Sequence, residues 1–381
     1  MKIIIAPDSF KGCLSADRVA AAIAAGVRSV VPDAEIVEMP LADGGEGTTD
    51  VLSRALHGRR VAFDGVDPLG RPLTASYLVV TDASGEPTAV MDMAAVCGLT
   101  LLAPHERRPM RLSSESVGAM LLHAIRSEGC RSVVLGIGGS ATCDGGMGVA
   151  RALGVRFYDE GGHELLPSGE ALAQVSRVDC SQISISANEI HLTVICDVDA
   201  PLYGERGAAC VFAPQKGATP EEVARLDAGL RRYAECVREA TSFDISTLPG
   251  GGAAGGVGAS LAAFLGAELK SGVATVLELI GFEQELVDAS LVVTGEGRID
   301  SQTLMGKVPM GVLSAARKKG VPVVALAGSV TDGEALREAG FAGVFSIQPG
   351  AISLEEAMSP DVAARNLRET IAQLLNFKLL H

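Results

Sequence analysis

VVTGEGRIDSQTLMGKVP, residues 292–309, begins as a buried strand and changes character within a few residues. The apolar run Leu291–Val293 gives way to Thr294, two glycines, Glu296, Arg298, Asp300 and, further on, Lys307. A chain that needed only a turn could make one with fewer charges and fewer glycines. In open parallel sheets, ligands bind beyond the carboxyl ends of the strands. The stretch therefore reads as a strand that stops near Val293 and hands over to a functional loop.

The same grammar recurs along the 381 residues. Ile3–Ala6 precedes PDSFKG and a helix from about Ser15 with Val19, Ile23, Val27 and Val30 on one face. Ile36–Met39 runs into LADGGEG, and further apolar runs lie at 133–137, 192–196, 321–327 and 343–347. Thr219, Pro220 and Glu222 form a capping-box signature for a helix over about 220–240. Strand–helix alternation predicts parallel sheets with helices on their faces. Residues 60–110 and 155–215 look less regular, which points to a second domain.

Composition narrows the function. The chain is 48% hydrophobic and only 4% aromatic, with 45 glycines, a profile suited to an α/β protein. A net charge of −14 argues against a nucleic-acid partner. The eight cysteines show no C-x-x-C pair and no zinc-ligand spacing, so free thiols in a reducing cytosol are expected. MKIIIAPDSF is too short in its apolar run for a signal peptide, and the uncharged stretch 249–267 carries seven glycines and suits a buried helix better than a membrane span. A soluble, cytoplasmic protein follows as the expectation.

Seven strand-end clusters share one chemistry. They hold Asp8, Ser9 and Lys11; Asp43 and Glu46; Ser140, Thr142 and Asp144 among six glycines; Asp197 and Asp199; Gln215 and Lys216; the glycines of 249–258; and the quoted stretch. Glycine-rich backbone at helix starts presents N–H groups to anions. Lysines neutralise phosphate or carboxylate oxygens, and acids beside phosphate call for a hard cation such as Mg²⁺ or for a base. Competing readings are plainer. D-G-G is commonly a turn, PGGGAAGGVG could let two backbones pack closely, Lys216 could be a solvated lysine, and Arg298 could pair with Asp300. The internal histidines lie outside the clusters.

Two nucleotide signatures were compared. The P-loop pattern fails, since Ser301 stands where its first glycine belongs and Val308 replaces the hydroxyl residue. Gly136-Ile-Gly138-Gly-Ser-Ala141 does satisfy G-x-G-x-x-A after a strand, with Asp159 about 18 residues on. That match keeps a nicotinamide-dependent oxidoreductase of a small hydroxy acid as an alternative, beside a non-catalytic hydroxy-acid sensor.

Taken together, IAPDSFKG (5–12), LADGGEGT (41–48), GIGGSATCDGGMG (136–148), CDVDAPLYGERGAA (196–209), FAPQKGA (212–218), PGGGAAGGVG (249–258) and TGEGRIDSQTLMGKVP (294–309) resemble the bacterial two-domain glycerate kinase family in content and order. The resemblance implies ATP-dependent phosphorylation of D-glycerate with Mg²⁺, 2-phosphoglycerate being favoured and 3-phosphoglycerate open. It implies an α/β fold of two domains: a discontinuous Rossmann- or flavodoxin-like domain of residues 1–65 and 285–381, and an inserted α/β domain of 66–284, with the active site in the interdomain cleft. In that frame Asp197 orients or deprotonates the attacking hydroxyl, with Asp43 as the second candidate. Lys11 and Lys216 join them as catalytic cations. Ser9, Gly138, Gly139, Ser140, Asp144, Gly255, Gly256, Arg298 and Lys307 bind substrate or phosphate, and Glu296, Asp300 and Asp8 hold the metal. Small molecules are the expected partners, with self-association left open.

Overall fold

The chain enters one sheet, leaves it for residues 56–270, and returns to finish it. The computed structural model describes residues 1–42, 52–53, 56, 58–81, 86–300, 303–331 and 333–379; Asp43 and Glu46 lie outside them. Two units result, residues 1–55 with 271–381, and residues 56–270.

The first unit opens with β1 (Lys2–Pro7), the helix Ala16–Val30 and β2 (Glu35–Glu38). The second holds β3 (Arg59–Val66), β4 (Pro72–Thr81), β5 (Pro87–Asp92), β6 (Ser132–Gly136), β7 (Arg156–Tyr158), β8 (Arg177–Asp179), β9 (His191–Ile195) and β10 (Glu268–Lys270). The first unit then resumes with β11 (Ala289–Ile299), the helix Val308–Lys318, β12 (Val323–Val330), β13 (Gly343–Ser346) and the helix Pro360–Leu379.

The first unit's sheet is all parallel, in the order β13-β12-β11-β1-β2. Counted within the unit, this is the flavodoxin-like 2-1-3-4-5 order, whose ligand-binding switch point lies between its first and third strands. Here those strands are β1 and β11. Their apolar residues are buried on both faces, as parallel sheets require. Ile3, Ile5, Leu291 and Val293 belong to one core with Val19, Ile23, Leu367 and Ile371 of two covering helices. Ile4 and Val292, pointing the other way by strand alternation, are fully buried as well.

The second unit contains a six-stranded mixed sheet, β10-β9-β6-β5-β4-β3, parallel from β10 to β5 and closed by the antiparallel β4 and β3; β7 and β8 form a separate pair. The capping box at Thr219 forms in full. Its hydroxyl accepts from Glu222 N at 3.2 Å, and the Glu222 carboxylate accepts from Thr219 N at 2.8 Å, starting the helix Pro220–Thr241.

The strand end expected from the sequence is corrected. The strand expected to stop near Val293 runs on to Ile299, because β12 continues beside it and pairs Glu296 with Ala327 and Ile299 with Val330. β1 ends opposite Gly295, so Glu296–Ile299 project beyond it. Gly295 is required there by close approach, since a Cβ would collide with the Leu326 carbonyl of β12. The unit boundaries also differ from 65/66 and 284/285. β3 pairs along its length with β4, which draws 56–65 into the second unit. The helix Gly272–Leu279 packs on the helix Val308–Lys318 at Gly311, which draws 271–284 into the first.

Candidate active site

In the first unit, the switch point gathers six of the residues singled out from sequence. Asp8, Ser9, Lys11, Glu296, Arg298 and Lys307 line one cavity of about 400 Å³. Asp8 is fixed by its place in the sheet, its N–H donating to the Gly295 carbonyl at 2.8 Å. Its carboxylate then accepts from Ser9 N at 2.6 Å. The chain next folds into a tight turn in which Phe10 N donates to Leu14 O at 2.8 Å. Gly12 supplies the left-handed conformation that turn needs, at φ +76°.

Glu296 sits on the projecting end of β11 and is 7% exposed. Its Oε1 accepts from Thr303 Oγ1 at 2.6 Å, and Lys307 Nζ stands 3.8 Å from its Oε2. Thr303 is locked in turn, its N–H donating to the Asp300 carbonyl at 2.9 Å and its hydroxyl accepting from Asp300 N at 3.2 Å. Burial pushes the Glu296 carboxyl above its ordinary value; Asp8 and Asp300 push it the same way, while the Thr303 hydroxyl and Lys307 oppose the rise. Arg298 pairs with Asp300 at 3.2 Å, as the plainer sequence reading allowed. Lys307 is the N-cap of the helix Val308–Lys318, its carbonyl accepting from Met310 N at 3.0 Å and Gly311 N at 3.1 Å.

The donor set can be tested against Mg²⁺. Among the described residues no three metal-capable side chains converge. Mg²⁺ commonly takes only one or two carboxylates, the rest of its shell being water and substrate phosphate. Asp8 and Glu296 share one cavity and repel each other. The pair would suit a Mg²⁺ ion that takes the rest of its shell from water and substrate, and does not make an all-protein cage.

In the second unit, the glycine loop after β6 is a rigid scaffold. Ala141 N donates to the Cys97 carbonyl at 2.9 Å and Leu99 N to the Gly139 carbonyl at 2.8 Å. Lys216 is 3% exposed, so the solvated-lysine reading is corrected. Its Nζ donates to Ser140 Oγ at 2.8 Å and to the Thr142 carbonyl at 2.7 Å, and burial pushes its ammonium below the ordinary value. Asp144 is fully buried. It accepts from Ser114 N and Oγ at 2.8 Å and from Gly146 N and Gly148 N at 3.1 Å. Burial raises its pKa, while those bonds oppose the rise.

The remaining glycines divide by surroundings. Gly138 and Gly139 are exposed, and a Cβ on Gly138 would meet nothing within 4 Å. Gly255 and Gly256 are buried at positive φ; a Cβ on Gly256 would lie 2.7 Å from Gly145 Cα, so this segment packs backbone on backbone. Asp197 stands exposed two residues beyond β9. The dinucleotide pattern at 136–141 lacks its structural context, because it does not open a helix: the next one begins only at Met147.

Sequence reasoning missed Thr303 and Ser114. Thr303 could have been found as the hydroxyl seven residues beyond Glu296 in the quoted stretch. Ser114 had no signal, being 30 residues from Asp144.

A family model described as the glycerate kinase family matches residues 3–378. The glycerate kinase of Halalkalibacterium halodurans is 44% identical over 371 residues, spanning 96% of this chain and 97% of the relative. The glycerate 2-kinase of Escherichia coli K12 is 42% identical over 378 residues, spanning 98% of both. A crystal structure of a Salmonella typhimurium LT2 protein, described provisionally as glycerate kinase 2, superposes with a TM-score of 0.87 at 42% identity, covering 100% of this chain and 98% of that one. The chain belongs to the glycerate kinase family.

Proposed function

We propose that the protein transfers the terminal phosphoryl group of ATP to a hydroxyl of D-glycerate. The observation that carries this reading is the convergence of two carboxylates and three cations on one cavity at the β1/β11 switch point. Phosphoryl transfer asks a protein chiefly to position its reactants and neutralise charge. Lys11, Arg298 and Lys307 supply cations for phosphate and carboxylate oxygens. Asp8 and Glu296 would hold Mg²⁺, with Asp300 acting through Thr303; when bound, the ion neutralises charge on the phosphate oxygens.

The exposed Gly138–Gly139 backbone offers N–H groups to phosphate, while Lys216 and Asp144 hold that loop in shape from behind. Gly255 and Gly256 serve packing in this account. Asp197 orients or deprotonates the attacking hydroxyl, and Asp43 is the second candidate for that step. Reaction at the 2-hydroxyl is favoured, in keeping with the name of the Escherichia coli relative. No helix among the described residues is long and apolar enough to cross a membrane.

Incubating the purified protein with D-glycerate, ATP and Mg²⁺ and following phosphorus NMR tests the reading. A phosphomonoester that needs all three components is expected. Its signal should be split by one proton for the 2-phosphate, or by two for the 3-phosphate. Intact ATP and glycerate after prolonged incubation would refute the assignment.

A further inference from the structure

The switch-point cavity is charged on one side only. Across the carboxyl edge of the sheet, the end of β11, the turn after β1 and the start of the helix Val308–Lys318 contribute the acids and cations, whereas β12 contributes Gly328 and Ser329 and the segment leaving β13 contributes Ile347 and Gln348. Those four strands span about 14 Å at the usual inter-strand spacing. Facing this edge is the segment after β13, which adds Leu354, Ala357 and Met358 to the cavity lining. Leu354 is 75% exposed and Met358 40% exposed, two large apolar side chains held open on the side of the cavity away from its acids and cations. Met358 is seated against the β1 turn, its Cε lying 3.2 Å from where a Cβ on Gly12 would stand. Gln348 Oε1 accepts from the buried Asn366 Nδ2 at 3.5 Å, which leaves the Gln348 amide hydrogens for a ligand acceptor.

An exposed apolar wall that continues a charged cleft is matched by a ligand with a polyanionic end and a flat apolar end. We propose that Leu354 and Met358 form the seat of the nucleotide's base, with Gln348 donating to an acceptor on the base edge and the phosphates lying toward Lys11 and Lys307. A thioether and an isobutyl group are well suited to the face of a heteroaromatic ring, and the polarizable sulfur adapts to its shape. This rests on the ATP-dependent reading above and adds a base-recognition surface to it.

The test compares two probes by calorimetry on the full-length protein: a non-hydrolysable ATP analogue with Mg²⁺, and inorganic tripolyphosphate with Mg²⁺, which carries the charge without the base. Both side chains are solvent-exposed, so Leu354→Ala/Met358→Ala should fold normally, which circular dichroism checks. The double variant should bind the ATP analogue about tenfold more weakly while tripolyphosphate binding stays within about twofold. Equal weakening of both probes, or of neither, overturns the base seat and leaves the kinase reading standing if the wild type still turns over ATP. A wild type that neither binds nor consumes ATP overturns both.

Discussion

Lys216 Nζ lies 2.8 Å from Ser140 Oγ and 2.7 Å from the Thr142 carbonyl, both neutral acceptors. A buried ammonium held by neutral acceptors is costly, and its pKa is lowered accordingly. What the fold gains is a fixed glycine loop, anchored from inside the second unit. Lys216→Met should therefore damage activity more than stability. We expect the unfolding free energy to change by no more than about 2 kcal/mol, because the lost hydrogen bonds are offset by removal of a desolvated charge, and turnover to fall at least about a hundredfold. Equal turnover in variant and wild type would remove Lys216 from the functional loop.

The same lysine gives a signed pH prediction. Its folded-state pKa lies below its ordinary value of 10.5, so between the two the unfolded chain binds more protons. Lysine's contribution to stability thus rises with pH across that window. Urea unfolding of wild type and Lys216→Met at several alkaline pH values isolates the term by subtraction. The difference between them should shift in favour of wild type as pH rises toward 10.5. A flat difference would mean that Lys216 is not desolvated in solution.

Asp144 anchors the same loop by a different route. Removing it strands the Ser114, Gly146 and Gly148 N–H groups in the interior. Each buried donor left without a partner costs about 1–3 kcal/mol, so Asp144→Ala should lose about 3–5 kcal/mol of stability. Asp144→Asn should rescue little, because its amide group turns a donor toward donors. A stability loss below about 1 kcal/mol for Asp144→Ala in urea titration would contradict the network.

Much of this organisation could be read from sequence, and the failures have identifiable causes. Strand–helix alternation placed Asp8 and Glu296 at strand ends, and local chemistry was enough for the Thr219 cap. The length of β11 was not legible, because TGEGRI has weak strand propensity and is held extended by β12, a partner found only in three dimensions. A solvated Lys216 stayed open as the plainer reading because charge in a sequence says nothing of the neutral acceptors that bury it. Gly255 and Gly256 looked like a phosphate cradle because close backbone packing and anion binding both select glycine.

Those two uses of glycine can be separated experimentally. Gly256→Ala forces a Cβ to 2.7 Å from Gly145 Cα at φ +102°, and should cost about 2–4 kcal/mol of stability. Gly138→Ala meets open space and should change stability by no more than about 0.5 kcal/mol. If the exposed loop cradles phosphate, the Gly138 variant should nonetheless raise the KM for ATP about tenfold, by crowding the approach to its N–H groups. Thermal unfolding beside steady-state kinetics reads both; an unchanged KM would confine the loop to a structural role.

Glu296 and Thr303 supply the last prediction. The Thr303 hydroxyl donates to Glu296 Oε1 at 2.6 Å and so favours the ionised carboxylate, opposing a pKa already raised by burial and by Asp8 and Asp300. Thr303→Val removes that donor with little change of shape. Carbon-13 NMR of the glutamate carboxyls in metal-free protein should place the wild-type Glu296 transition above its ordinary value of 4.5 and the Thr303→Val transition higher still. Because the folded state then holds its proton more tightly than the unfolded chain, Glu296's contribution to stability is present below 4.5 and is lost as pH rises through the folded-state pKa. If Glu296 holds Mg²⁺ as proposed, it must be charged to do so, and the acid limb of kcat/KM should move to higher pH in Thr303→Val. Titration curves that coincide in the two proteins would show that the hydroxyl does not control Glu296.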